Sequence, residues 1–247
     1  MSDPSTQTAN DLTFAKELEA YLPSSIGSHV DRLHNFTKYV PRQTLAAFLA
    51  KHEMFQRVLS MHGHIIECGV FLGGGLMTWA QLSAIFEPIN HTRRVVGFDT
   101  FEGFPYLDVK DGAPDLDYAR AGGLHSGAKT DIEKSISLYD LNRPIGHIER
   151  VELVSGDAVE TIPAYVEENP HLVVALLYLD FDLYEPTKIA LEHFLPRMPR
   201  GSILAFDELN QKHWPGETAA VLETIGIRAL RIERFPFTPQ LSFAVLD

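Results

Sequence analysis

The chain is nearly devoid of cysteine: Cys68 is the only one in 247 residues, which excludes an intramolecular disulfide framework. Long apolar runs are also missing. No stretch approaches the roughly 18 consecutive apolar residues that a membrane helix needs. Basic residues are outnumbered, 21 Lys and Arg against 33 Asp and Glu, for a net charge of -12. That deficit excludes an extended nucleic-acid or anionic-membrane surface, because phosphate binding needs a basic field. The segment 1–10 lacks the basic start and apolar core of a signal peptide, and no repeat or low-complexity tract interrupts the chain. The expectation is a cytoplasmic protein without a nucleic-acid or membrane partner.

What is present reads as an ordinary globular composition, 45% hydrophobic and 22% charged, long enough for one sizeable α/β domain. Leu45, Phe48, Leu49, Phe55 and Leu59 stand at three-to-four spacing and predict helices over 11–62, one of them started by Pro41. Ile65 and Ile66 then run into Glu67-Cys68-Gly69-Val70-Phe71-Leu72-Gly73-Gly74-Gly75 and a helical pattern over 76–86. A buried strand, a glycine-rich turn and a helix is the economical reading. Further strand-like runs fall at 94–99, 151–155, 173–180 and 202–207, with helices at 186–195 and 216–225 and a hairpin over 229–247. Apolar strands alternating with helices imply a mostly parallel sheet covered on both faces. The segment 104–130 breaks the rhythm with Gly, Asp and Pro and is expected to be a lid over the substrate.

Acidic residues close several of the strands, with Asp157 just beyond one, where open α/β sheets bind their ligands. The glycines after Glu67 let the backbone approach a ligand and adopt φ values that side chains forbid. Asp99 ends the next strand, where a carboxylate can accept both ribose hydroxyls of a nucleotide-like cofactor. Asp157, in Ser155-Gly156-Asp157-Ala158, falls where an adenine would lie. Each strand-end aspartate has a competing use as a helix N-cap. Asp180 and the Asp207-Glu208 pair end consecutive strands and can converge. Three carboxylates in one pocket repel unless a cation lies between them, and hard oxygen ligands suit magnesium, or manganese or calcium. Such an ion can lower the pKa of a substrate hydroxyl whose proton Asp180 then takes.

These stretches resemble the macrocin O-methyltransferase family, whose members methylate sugars of glycosylated natural products. The likeness rests on 67–75, on Gly97-Phe98-Asp99-Thr100-Phe101-Glu102-Gly103-Phe104-Pro105, on Asp180-Phe181-Asp182-Leu183-Tyr184-Glu185-Pro186-Thr187, and on Asp207 to Asn210 with Pro215-Gly216-Glu217-Thr218. It implies a Rossmann-like class I methyltransferase fold with an N-terminal helical extension over 1–62, S-adenosylmethionine as cofactor, bound magnesium, a sugar-containing acceptor and a homo-oligomer. By position it makes Glu67, Gly69, Gly73, Gly74, Asp99 and Asp157 cofactor-binding residues. Asp180, Asp207 and Glu208 become the metal ligands and Asp180 the base. The family often has two aspartates where Asp207-Glu208 stands, so the longer Glu208 shifts the ion or the substrate.

Other residues carry blander expectations. His125 and His213 read as surface histidines, Cys68 as a small buried hydrophobe, and Trp79 as core. Tyr39 and Arg42 either close over the cofactor or pack their helices. Two further readings stay open at this point, a cephalosporin-hydroxylase-like protein of the same fold and a non-catalytic cofactor-binding module.

Overall fold

The structure is a computed structural model that describes residues 8–112 and 117–247. Residues 113–116 of the expected lid lie outside the described residues. The chain divides into two compact units, residues 1–46 and 47–247. The division falls inside a helix, Arg42–Val58, so no linker composition could mark it, and it falls earlier than the extension read from the sequence.

In the first unit, α1 (Ala9–Ser24) and α2 (His29–His34) each begin with a capping box, Thr8 with Asp11 and Ser28 with Asp31. Each cap satisfies N–H groups that a helix start otherwise leaves unpaired. Tyr39 stacks on Tyr21 at 6.1 Å and shares a hydrogen bond with Ser25 Oγ at 2.8 Å, which is packing of its own unit. The helix Arg42–Val58, α3, starts directly after Pro41 as expected.

The second unit is an α/β/α sandwich. Its strands are β1 (His64–Cys68), β2 (Val95–Asp99), β3 (Val151–Ser155), β4 (Val174–Leu179), β5 (Ile203–Phe206), β6 (Ile232–Phe235) and β7 (Thr238–Val245). They form one sheet in the order β3-β2-β1-β4-β5-β7-β6. The first five are parallel, and the terminal hairpin adds β7 antiparallel to β5. The helices are α4 (Gly74–Phe86), α5 (Lys129–Leu141), α6 (Ala158–Glu168), α7 (Tyr184–Phe194) and α8 (Gly216–Thr224).

Strand side chains alternate between faces, and two core layers follow that parity. Ile65, Val95, Leu176, Tyr178, Ile203 and Ala205 pack with α3, α4 and α5 through Phe55, Trp79 and Tyr139. Ile66, Val96, Phe98, Leu177, Leu179 and Phe206 pack with α6, α7 and α8 through Ile162, Leu191 and Val221. The strand order reverses direction between β1 and β4, so the crevice that binds ligands in such sheets opens at their carboxyl ends. No helix among the described residues is long and apolar enough to cross a membrane.

Candidate functional site

Backbone strain gathers at that carboxyl edge. Phe71, Phe101, Asp182 and Asn210 all have positive φ, at 50°, 59°, 63° and 67°, and each lies in the turn after a parallel strand. Side chains rarely adopt such angles, and their clustering marks a functional edge. The glycines do different work there. Gly69 has φ +97°, and a Cβ on it would stand 2.0 Å from the Asp180 carbonyl oxygen, so β1 and β4 approach too closely for any side chain. Gly73 takes the left-handed N-cap of α4 and caps it with no side chain. Gly74 follows as the first helical residue, with nothing within 4 Å of its would-be Cβ. The helix start therefore presents bare backbone to the crevice.

Asp99 holds this turn together. Its Oδ2 accepts from Val70 N and Phe71 N, both at 2.7 Å, and its Oδ1 accepts from Phe101 N at 2.6 Å. A carboxylate offers about four lone-pair sites, so Asp99 has room for one further hydroxyl and not for both of a ribose. Asp157 is the N-cap of α6, accepting from Val159 N at 3.0 Å. The competing use as a cap is thus realised there.

Glu67 is buried beneath the turn rather than open to it. It is 2% exposed, and a Cβ on Gly75 would meet its Oε1 at 2.1 Å. Its Oε2 has no hydrogen-bond partner among the described residues. Burial pushes the Glu67 carboxyl up to about 7, against the pull of the Lys51 ammonium. Stability linked to Glu67 is therefore greatest below the ordinary value near 4.5 and is lost as pH rises to about 7. In that window the unfolded chain ionises first, and the loss sums to about 3 kcal/mol. Glu67→Gln should flatten this part of the pH profile of urea unfolding. An unchanged slope between pH 5 and pH 8 would show that Glu67 does not titrate there.

At this edge the Asp180 and Asp182 carboxyls lie close enough to Asp207 to feel its charge. Burial first, then the Asp207 and Asp182 charges, raise Asp180 well above the usual carboxylate range, and Lys51 pulls it down. Asp182 is pushed up to about 7 by burial and by Asp207. Glu208 is 6% exposed, and its backbone N–H donates to Glu217 Oε1 at 3.2 Å. The expected cage of Asp180, Asp207 and Glu208 is not assembled: among the described residues no three His, Cys, Asp or Glu side chains stand together as a metal site.

The expected lid is an excursion pinned at its base, with Gly127 N donating to Phe101 O at 2.9 Å and Gly122 N to Phe104 O at 2.8 Å. Phe104 and Tyr118 pack on Trp214, with ring centroids 5.5 and 6.2 Å away. Asp111, 1% exposed, accepts from Tyr184 N at the start of α7 and from Asp108 N. Lys110 reaches Glu223 on α8 at 2.6 Å. His125 lies exposed, 3.4 Å from Glu102. Cys68 and Trp79 are fully buried, as expected.

Sequence reasoning passed over Lys51, Tyr178 and Asp111, and took Glu217 only as part of a matching stretch. Lys51 had a signal: it falls on the apolar stripe Ala47, Phe55, Val58 of α3, where a lysine is out of place. Asp111 had none, since its partner is a backbone N–H 73 residues away.

The sequence profile of the macrocin-O-methyltransferase family (TylF) matches residues 45–222. A curated relative from Streptomyces olivaceus, 8-demethyl-8-(2,3-dimethoxy-alpha-L-rhamnosyl)-tetracenomycin-C 4'-O-methyltransferase, is 29% identical over 151 residues, 59% of this chain. The match spans about half of that relative, 52% of its length. Among solved structures, CalS11, a calicheamicin methyltransferase, superposes with a TM-score of 0.93 at 33% identity, covering 99% of this chain and 97% of that one. The apo form of CalS11, described as a TDP-rhamnose 3'-O-methyltransferase, gives 0.84 at 31% identity, covering 99% of each chain.

Proposed function

The chain belongs to the macrocin O-methyltransferase family, and on that premise we propose that it transfers the methyl group of S-adenosylmethionine to a sugar hydroxyl of a glycosylated or nucleotide-linked acceptor, with magnesium assistance. The observation that carries this is the contact of Gly69 with the Asp180 backbone. It sets the glycine turn and a strand-end acid side by side at the switch point of the sheet. The rhamnose-modifying activities named for the relatives support a deoxysugar acceptor.

In this reading Val70 to Gly74 would hold the cofactor, and the Asp99 carboxylate, already accepting three backbone N–H bonds, would accept one further hydroxyl. Glu67 supports the turn from beneath, and Asp157 fixes the start of α6 beside the adenine. Asp180 takes the proton of the acceptor hydroxyl. S-adenosylmethionine, when bound, would supply the sulfonium methyl to that oxygen as its C–S bond breaks, giving a methyl ether and S-adenosylhomocysteine. Orientation supplies much of the rate, and Asp180 is the general base in this reading, its carboxyl raised by burial and by the Asp207 and Asp182 charges.

The donor chemistry suits a hard divalent ion, because Asp180 and Asp207 are neighbouring carboxylates whose repulsion a cation relieves. Magnesium takes one or two carboxylates and keeps water and substrate oxygens for the rest, so Asp180 and Asp207 suffice and Glu208 is not required. When bound, the ion lowers the pKa of the acceptor hydroxyl. Apolar side chains exposed on α1 and α2, among them Leu12, Phe14 and Leu33, support a homo-oligomer.

Calorimetric titration of S-adenosylmethionine and S-adenosylhomocysteine, with magnesium and with chelator, tests the reading. Micromolar binding, followed by methylation of dTDP-rhamnose or a rhamnosylated product, is expected. Binding of neither ligand under any metal condition overturns it.

A further inference from the structure

We propose that Tyr178 and Lys51 are positioning residues that fix the Asp207 carboxylate in the orientation used for methyl transfer. The catalytic consequence rests on the methyltransferase reading, while the structural claim rests on geometry alone.

Tyr178 lies in β4, two residues before Asp180 on the same face, and opposite Glu67 in the parallel register with β1. It is 2% exposed, and its hydroxyl donates to Asp207 Oδ1 at 2.6 Å. A carboxylate just past a strand end otherwise turns freely about its side-chain torsions. This hydrogen bond to a charged acceptor is short and strong. It holds one oxygen and leaves Oδ2 for the acceptor side of the crevice.

The phenol ring is itself fixed. Trp79 meets it edge-on, with centroids 5.9 Å apart and planes at 65°. The Lys51 ammonium stands 3.2 Å from the Tyr178 centroid and 5.1 Å from that of Trp79. Lys51 is only 7% exposed, and a buried ammonium is costly unless its charge is used. Here it lies over two ring faces, an attractive arrangement, and a cation over a phenol makes its hydroxyl a stronger donor. The same charge offsets the repulsion among the carboxylates around it, since Glu67 and Asp180 both feel Lys51. A leucine or methionine would fill the volume equally well, so packing alone does not account for a lysine on the apolar stripe of α3.

Tyr178→Phe keeps the ring, the cation contact and the fold while removing the donor. With dTDP-rhamnose as acceptor, kcat should fall about 10- to 100-fold, with KM for S-adenosylmethionine held within about twofold. Crystals of the variant should show the Asp207 carboxylate turned from its wild-type rotamer. Lys51→Met should lower kcat, and Lys51→Arg should restore most of it. Lys51→Met should lose less in the Tyr178→Phe background than in the wild type, because the part it exerts through the phenol hydroxyl is already gone. Should Lys51→Met fail to fold, Lys51→Gln replaces it. An Asp207 rotamer and kcat unchanged in Tyr178→Phe would overturn the proposal, and fully additive losses would overturn the part assigned to Lys51. A wild type that methylates no acceptor rejects the functional reading instead, and the paired crystal structures still decide the positioning claim.

Discussion

Asp180→Asn is expected to lower kcat about 100- to 10,000-fold, the range for removing a general base, while leaving the Kd for S-adenosylmethionine unchanged. The amide has nearly the shape of the carboxylate and cannot take up the acceptor proton. What fixes the cofactor turn is the Asp180 backbone, whose N–H donates to Cys68 O at 2.8 Å and whose carbonyl lies against Gly69. Both survive the substitution. Removing one of several mutually repelling acids should also raise stability at neutral pH, since Asp180 is held above its ordinary range by burial and by Asp207 and Asp182. Lower turnover, intact cofactor binding and a higher melting temperature together separate lost chemistry from misfolding. In the wild type, kcat should rise with pH as Asp180 loses its proton, over a window above the ordinary carboxylate range. Wild-type turnover in Asp180→Asn would remove Asp180 from the mechanism.

The parts of this fold that were legible are those written in short-range pattern. The strands β2, β4 and β5 appear where an apolar run ends in an acid, and β3 falls on the residues expected, Val151–Ser155. The glycine turn and the terminal hairpin are likewise local features. The site was legible as an address but less so as a set of contacts. Asp99 ends its strand as anticipated, yet three backbone N–H groups from the turns after β1 and β2 occupy its carboxylate. No spacing rule reports how many lone pairs a fold has already used. Lys51 and Tyr178 stayed hidden for a related reason. A lysine on a helix and a tyrosine in a strand acquire meaning only when the α3 layer is laid on the sheet, and that packing is a long-range result.

Gly69→Ala and Gly74→Ala should move the protein in opposite directions, although both add one methyl group to the same turn. At Gly69 the new Cβ would meet the Asp180 carbonyl oxygen at 2.0 Å and inherit φ +97°. Neither strain can relax without parting β1 from β4 at the switch point. A loss of about 3 kcal/mol or more is expected from the backbone conformation and the clash together, and the melting temperature should fall by about 10 °C. Cofactor binding should disappear with it. At Gly74 the new methyl meets nothing within 4 Å, and alanine in the first turn of α4 should stabilise the helix by about 0.5–1 kcal/mol. The methyl would nonetheless stand on the bare backbone where the cofactor is placed. Affinity for S-adenosylmethionine should weaken about tenfold or more, which corresponds to about 1.4 kcal/mol. Gain of stability with loss of cofactor affinity is the signature of a glycine kept for a ligand, and the Gly69 result is that of a glycine kept for the fold. A Gly74→Ala variant that is more stable and binds S-adenosylmethionine as tightly as the wild type would move the cofactor off the start of α4 and overturn its placement along Val70 to Gly74.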